Sequence, residues 1–250
     1  MNLRYITCSD IRENIPVNKA IDLLRTSSKT ELGIQAHYPS MNSGMPRRIW
    51  LNEILKMSDT FCKPLNVALH VNYDWCSEFC SGNIPTELKS LLDRRHKNKG
   101  EPIIKRWQLN LGDGTIIPDA KAISEIIKSY PYQEFIFPYN DNPKLQSFVQ
   151  ELNDTGVKFS LLFDASYGAG ISPSSWNAPV YQQHPQGYAG GLSPDNVIEN
   201  LDKITKVAGN RTDVWIDAEG KLMKPGTRIF DLERAGNYIR NALSWEQKQR

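Results

Sequence analysis

Short apolar runs alternate along this chain with longer segments in which apolar residues recur every three or four positions. Eight of the short runs have the length and the β-branched or aromatic content of strands, at 4–8, 32–37, 66–72, 106–110, 134–138, 158–164, 187–190 and 213–217. Helical segments follow at 17–27, 46–57, 84–94, 119–129, 143–153, 194–208 and 232–246, with a weak one at 172–176. This alternation predicts βα units and a parallel sheet.

Two of the helices have start signals of their own. Asp119 follows Pro118 and can cap the helix behind it, and Ser193 precedes Pro194, which would take the first helical position. No linker interrupts the chain, because glycine and proline are spread through the loops. We therefore expect an α/β fold over residues 1–250, a single (β/α)8 barrel domain with extended loops after strands 2, 3 and 6. Its active site would lie at the carboxyl ends of the strands.

Length and charge narrow the class of protein further. The chain has 250 residues, the size typical of such a barrel, and its formal net charge of +2 gives no reason to expect nucleic acid as a partner. No apolar run approaches the roughly 20 residues of a membrane span, and residues 1–10 lack the features of a secretory signal. The four cysteines fit no disulfide framework. We expect a soluble cytoplasmic protein with no membrane partner.

The end of the seventh strand carries the strongest local signal for a binding site. Gly190 and Gly191 let the backbone turn tightly and present its amide N–H groups, and the helix start behind them adds the positive end of a dipole. In (β/α)8 barrels the loops after strands 7 and 8 often bind a phosphate. We predict a phosphate site at Gly190, Gly191 and Leu192. The alternative is a glycine turn that packing alone requires.

Several segments resemble phosphoribosylanthranilate isomerase, a barrel family of tryptophan biosynthesis. Residues 189–197, AGGLSPDNV, are similar to the family's phosphate-binding loop and helix start, and LLFD at 161–164 is similar to its sixth strand. Four further segments occupy the positions of other family motifs: YITC at 5–8, HVN at 70–72, QLN at 108–110, and YGAG at 167–170 followed by Trp176. The similar segments follow the family's order along the whole predicted barrel.

The resemblance implies an Amadori-type isomerisation of a phosphorylated aminosugar, from aldose to ketose, by a general acid and a general base. Cys8 takes the place of the family's base and Asp164 the place of its acid. A thiol can act as that base only if its pKa is lowered. The alternatives are that Cys8 is a small hydrophobic core residue and that Asp164 accepts backbone amides of the loop behind it.

The resemblance also implies the substrate contacts, with a small phosphorylated sugar as the partner and no cofactor or metal. Either Arg47 or Arg48 lies near the family's carboxylate-binding arginine. The other implied substrate-binding residues are Gln108, Asn110, Tyr167, Gly168 and Gly170. At the phosphate, Gly220 would join the three residues of the seventh-strand loop.

The end of the eighth strand departs from the family. Asp217 and Glu219 stand where the family has small residues beside the phosphate, and their charges would repel it unless nearby cations compensate: Lys221, Lys224 or Arg228. Two other functions therefore stay open. One is a barrel that binds a ligand or partner without turnover. The other is a metal-dependent lyase or aldolase with oxygen ligands from Asp164, Asp217 and Glu219.

Overall fold

Eight parallel strands close in chain order into a barrel in the computed structural model, which describes residues 1–112, 114–164 and 172–249. The strands are β1 (Leu3–Ser9), β2 (Thr30–Ala36), β3 (Val67–Val71), β4 (Arg106–Leu109), β5 (Glu134–Tyr139), β6 (Ser160–Asp164), β7 (Gln186–Ala189) and β8 (Val214–Ala218). The last strand pairs with the first, so the barrel has no free edge. The predicted (β/α)8 barrel is confirmed, and each strand ends within two residues of its predicted bounds.

Helices surround the barrel. They are α1 (Val17–Leu24), α2 (Pro46–Ser58), α3 (Tyr73–Cys80), α4 (Thr86–Leu92), α5 (Ala120–Ser129), α6 (Pro143–Asp154), α7 (Val197–Ala208) and α8 (Leu232–Lys248), with a 3-10 turn at Gly220–Leu222. In the part of the chain that the structure describes, none of these helices is long and apolar enough to cross a membrane.

The helices differ from the prediction in three places. The helix α3 was not predicted, because its aromatic residues and cysteines are indifferent helix formers; burial of Trp75, Cys76 and Phe79 on one face holds it in place. The predicted helix at 172–176 is wrong, since no helix lies between residues 172 and 185. The helix α7 begins at Val197, three residues later than Pro194 predicted, with Asn196 at its N-cap.

The predicted cap at Asp119 is confirmed, because its side chain accepts hydrogen bonds from the backbone N–H groups of Lys121 and Ala122 at the start of α5.

Alternation along β1 fixes which side chains face the barrel interior. The hydroxyl of Thr7 donates to Glu31 at 2.7 Å, and the hydroxyl of Ser9 donates to Asp217 at 2.5 Å, so both side chains point inward. Successive side chains of a strand point to opposite faces, and Ile6 and Cys8 therefore face the helices. Both belong to the apolar core between the barrel and the helices.

Large and charged side chains fill the half of the barrel interior that is nearer the amino ends of the strands. The guanidinium of Arg106 is bonded to Glu31 at 2.5 Å and to Glu134 at 3.2 Å, and it lies 4.4 Å from the ring centroid of Trp215. Gly187 makes room for that indole, because a Cβ on it would lie 2.2 Å from a ring atom. The interior is thus packed at this level, and open space begins only above it, at the carboxyl ends of the strands.

Candidate active site at the mouth of the barrel

Two adjoining cavities open at the carboxyl ends of the strands. The larger has a volume of about 600 Å³ and lies mostly over β1 to β5, and the smaller, which we call the recess, has about 50 Å³ and lies over β6 to β8. Four residues line both cavities: Gln108, Leu162, Asp164 and Glu219. Two carboxyl groups, those of Asp164 and Glu219, therefore stand where the recess meets the larger cavity.

Backbone of the loop after β7 forms one wall of the recess. Gly190 and Gly191 have φ of 119° and 62°, in the region that favours glycine. The carbonyl of Gly191 accepts hydrogen bonds from Asn196 Nδ2 at 3.0 Å and from Ser172 Oγ at 3.2 Å. Because the peptide is planar and trans, the N–H of Leu192 points away from those two side chains.

All four predicted phosphate-binding residues line this recess: Gly190, Gly191, Leu192 and Gly220. Lys221 lines it as well and supplies a positive charge. The structure therefore brings together the residues of the predicted phosphate site, while phosphate binding itself stays a prediction.

Three carboxyl groups line the recess, those of Asp164, Asp217 and Glu219, and the pKa values of the last two reduce the expected repulsion of a phosphate. Burial raises the pKa of Asp217 to about 8, against the hydrogen bond from Ser9 that lowers it. Glu219 is exposed as a residue, yet neighbouring protein groups keep water from its carboxyl, and this desolvation, followed by the charge of Asp10, raises its pKa to about 7. At neutral pH Asp217 is therefore mostly protonated and Glu219 is about half protonated. The recess carries less negative charge than its sequence indicated.

The proton on Asp217 makes stability depend on pH. The pKa of this carboxyl rises from an ordinary value of 3.8 to about 8 on folding, so between these values the folded chain holds a proton that the unfolded chain has lost. This contribution to the free energy of unfolding is present below pH 4 and is lost as pH rises through 8. The free energy of unfolding of the wild type should therefore fall by on the order of 5 kcal/mol between pH 4 and pH 8, and Asp217→Asn should remove this fall.

Urea unfolding of the wild type and of Asp217→Asn at about pH 5 and about pH 9 measures the difference. Asp213→Asn is the matched control, because Asp213 is a partly exposed carboxyl just before β8 that lines neither cavity. Equal pH slopes in the wild type and in Asp217→Asn would show that Asp217 titrates normally in the folded protein.

The structure does not bring Cys8 to the mouth. Its side chain is fully buried on the side of β1 that packs against α8, and it lines neither cavity. Burial, followed by the charges of Asp217 and Glu31, raises the pKa of the thiol above its ordinary value, which is opposite to what a catalytic base needs. The position next to it, Ser9, is the one that faces the interior. Cys8 therefore has the place of a core residue.

Of the two candidate arginines, only Arg47 lines the larger cavity, where it is paired with Glu13 at 2.8 Å. Arg48 lies against α4 instead, with its guanidinium donating to the carbonyl of Glu87 and to the hydroxyl of Ser90. Gln108 and Asn110 line the larger cavity as expected. Three further predicted binding residues lie outside the described residues: Tyr167, Gly168 and Gly170.

The sequence predicted no binding or catalytic role for two residues of the mouth. Asp10 and Tyr73 both line the larger cavity with positive φ, of 60° and 53°. Such strained positions in residues other than glycine cluster at functional sites. The carboxylate of Asp10 accepts two hydrogen bonds from Arg12, at 2.8 and 2.5 Å. The sequence signal that could have identified them was their position along the chain, because each of these residues closely follows a strand.

The carboxyls of the mouth do not form a metal site. In residues 1–112, 114–164 and 172–249, no three side chains of His, Cys, Asp or Glu are arranged to hold a metal ion. The set of Asp164, Asp217 and Glu219 therefore gives no support to a metal-dependent lyase or aldolase.

Comparison with known proteins adds evidence on the fold. No protein-family model matches the chain, and no curated protein matches it. Among solved structures, it is similar to phosphoribosylanthranilate isomerase from Thermotoga maritima, with 13% identity, a TM-score of 0.53 and coverage of 97% of this chain and 99% of that one. The comparisons show the barrel fold.

Two further solved structures lead to the same conclusion. N-acetylneuraminic acid synthetase from Leptospira borgpetersenii serovar Hardjo-bovis has 10% identity and a TM-score of 0.56, over 99% of this chain and 85% of that one. A mutant tryptophan synthase alpha-subunit from Pyrococcus furiosus has 11% identity and a TM-score of 0.54, over 97% and 99%. These barrels are named for different activities, so the function has to be argued from the mouth itself.

Proposed function

We propose that this chain is an isomerase that removes a proton from C2 of a phosphorylated aminosugar and adds one at C1, converting an aldose to a ketose. The observation that carries the proposal is the position of Asp164 and Glu219 between the recess and the larger cavity. A phosphate held by the backbone of Gly190 to Leu192 would place the sugar attached to it between these carboxyls.

The reaction needs one acid and one base. Asp164 donates a proton to the ring oxygen as the bond from C1 to that oxygen breaks, and the nitrogen lone pair forms the C1=N bond. Glu219 then takes the proton from C2, and the electrons of that C–H bond form a C1=C2 bond while the C1=N electrons return to nitrogen. C1 then takes up a proton from solvent and the C2 hydroxyl gives its proton to Asp164, which forms the ketose and restores the acid; Glu219 releases its proton to solvent.

Glu219 fits the base better than Cys8 does. It lines both cavities, whereas the thiol is buried against the helices. A general base works best when its pKa lies near the working pH, and the pKa of Glu219 is raised to about 7. In this proposal the general base is therefore the carboxyl of Glu219, just after strand 8, whereas the resemblance gives that role to the thiol of Cys8 in strand 1.

The pH dependence of turnover tests this assignment. The unprotonated fraction of Glu219 rises from about one tenth at pH 6 to about nine tenths at pH 8, so kcat/KM should rise over this range. The assay follows the loss of fluorescence from the aminosugar phosphate formed by anthranilate and ribose 5-phosphate. Glu219→Gln should lower kcat by about 10²-fold or more and abolish the rise.

Cys8→Ala is the matched control and should keep kcat and its pH dependence. A loss of turnover in Cys8→Ala with a normal unfolding midpoint would contradict the assignment of the base. A wild type that binds inorganic phosphate and turns over no aminosugar phosphate would favour the other reading, a barrel that binds its ligand without catalysis.

A further inference from the structure

Carboxamide side chains bonded in series form the wall of the larger cavity over β2, β3 and β4. Gln108 Nε2 donates to Asn110 Oδ1 at 2.8 Å, and Asn110 Nδ2 donates to Asn72 Oδ1 at 2.7 Å. Asn72 Nδ2 donates to Gln35 Oε1 at 2.6 Å, and Gln35 Nε2 donates to Glu219 Oε2 at 3.2 Å. We call Gln35, Asn72, Gln108 and Asn110 the carboxamide arc; all four line the cavity.

The arc keeps hydrogen-bonding capacity after these bonds are counted. A primary amide has two N–H donors and an oxygen with two lone pairs, and each bond in the series uses one donor and one lone pair. Asn72 gives its second N–H to the carbonyl of His70 at 2.7 Å. Within the described residues, the bonds above leave Gln35, Gln108 and Asn110 with one N–H each. Donors and acceptors therefore stand side by side along three strands.

This pattern suits hydroxyl groups. A hydroxyl donates one hydrogen bond and accepts others, so it can bond to an amide oxygen and to a neighbouring amide N–H together. The side chains of the arc carry no charge, so they suit neutral polar groups. Adjacent strands lie about 4.8 Å apart, so three strands span about 10 Å, enough for several carbons of a sugar chain.

We propose that the carboxamide arc binds the hydroxyl groups of a sugar or polyol segment of the ligand. The recess lies over β6 to β8 and the arc over β2 to β4, with Asp164 and Glu219 between them. The ligand would thus run across the mouth, from its phosphate in the recess to its hydroxyls on the arc. This inference rests on the proposed function only for the phosphate in the recess, and it adds the chemical class of the remainder of the ligand.

Two probes that differ only in their hydroxyls test the arc: ribitol 5-phosphate and pentyl phosphate. Hydrogen bonds from two or three hydroxyls should make the wild type bind ribitol 5-phosphate about tenfold more tightly by calorimetry. Asn110→Leu should reduce this preference to about twofold or less, while the affinity for pentyl phosphate changes by less than about twofold. Thr115→Val, which removes a hydroxyl of the same cavity outside the arc, should keep the preference.

The possible results separate this inference from the proposed function. Equal affinities of the wild type for the two probes, or no binding of ribitol 5-phosphate, would overturn the inference, as would a preference that survives Asn110→Leu. A tenfold preference that depends on Asn110 in a protein without isomerase activity would overturn the proposed function and leave the arc as a sugar-binding site.

Discussion

Replacement of Asp164 by asparagine should lower kcat for the aminosugar phosphate by about 10²- to 10⁴-fold. The amide keeps the size of the side chain and removes its ability to give and take a proton at the junction of the two cavities. The affinity for inorganic phosphate should change by less than about threefold, because the proposed phosphate contacts come from backbone and from Lys221. Steady-state kinetics and a phosphate titration measure the two quantities separately.

Asp141→Asn is the matched control, since Asp141 is an exposed carboxyl at the same end of the barrel that lines neither cavity. It should leave kcat unchanged. If Asp164→Asn raised KM and left kcat intact, Asp164 would be a binding group and its role as the acid would be wrong.

Replacement of Arg106 by methionine should destabilise the protein by about 3–5 kcal/mol. The guanidinium is only 2% exposed and is bonded to Glu31, which is 1% exposed, so its removal leaves a buried carboxylate without its cation. Urea unfolding measures the loss. The double variant Arg106→Met with Glu31→Met should recover a large part of it, because a buried pair replaced by apolar side chains costs less than a buried charge left alone.

Arg4→Met serves as the control for this prediction. Arg4 pairs with Glu134, which Arg106 also contacts, but its side chain is 36% exposed, so its loss should cost no more than about 1 kcal/mol. A cost for Arg106→Met as small as that for Arg4→Met would show that the barrel interior is hydrated around this cluster.

The strands of this barrel could be predicted because their signal is local. A buried parallel strand is a short apolar run, and all eight runs became strands within two residues of the predicted ends. The loop at Gly190 and Gly191 was predictable for a similar reason, since the positive φ of both residues suits glycine. Asp164 also lies at the mouth, as its position at the end of a predicted strand indicated.

The orientation of the Cys8 side chain, toward the helices, could not be predicted in this way. Side chains of a strand alternate, so an error of one position moves a residue from the cavity to the helices. The sequence around Cys8 does not say which of Thr7, Cys8 and Ser9 faces inward. That was decided by partners on other strands, Glu31 and Asp217.

The properties of Glu219 depend on residues that are distant in the chain. Its raised pKa comes from desolvation of its carboxyl and from the charge of Asp10, and its hydrogen bond comes from Gln35. None of these neighbours could be assigned from sequence spacing, because loops separate them. The sequence showed only a carboxyl beside a predicted phosphate site, where repulsion was the natural expectation.

Turnover of the aminosugar phosphate in D2O, followed by NMR, tests proton transfer at the mouth most directly. If the C2 proton leaves to Glu219 and C1 takes its proton from solvent, the ketose formed by the wild type should carry deuterium at C1. Glu219→Gln and Asp164→Asn should form no labelled ketose on the same timescale. A wild type that binds the aminosugar phosphate and forms no ketose, or a Glu219→Gln or Asp164→Asn variant that forms labelled ketose at the wild-type rate, would contradict acid–base catalysis by these two carboxyls.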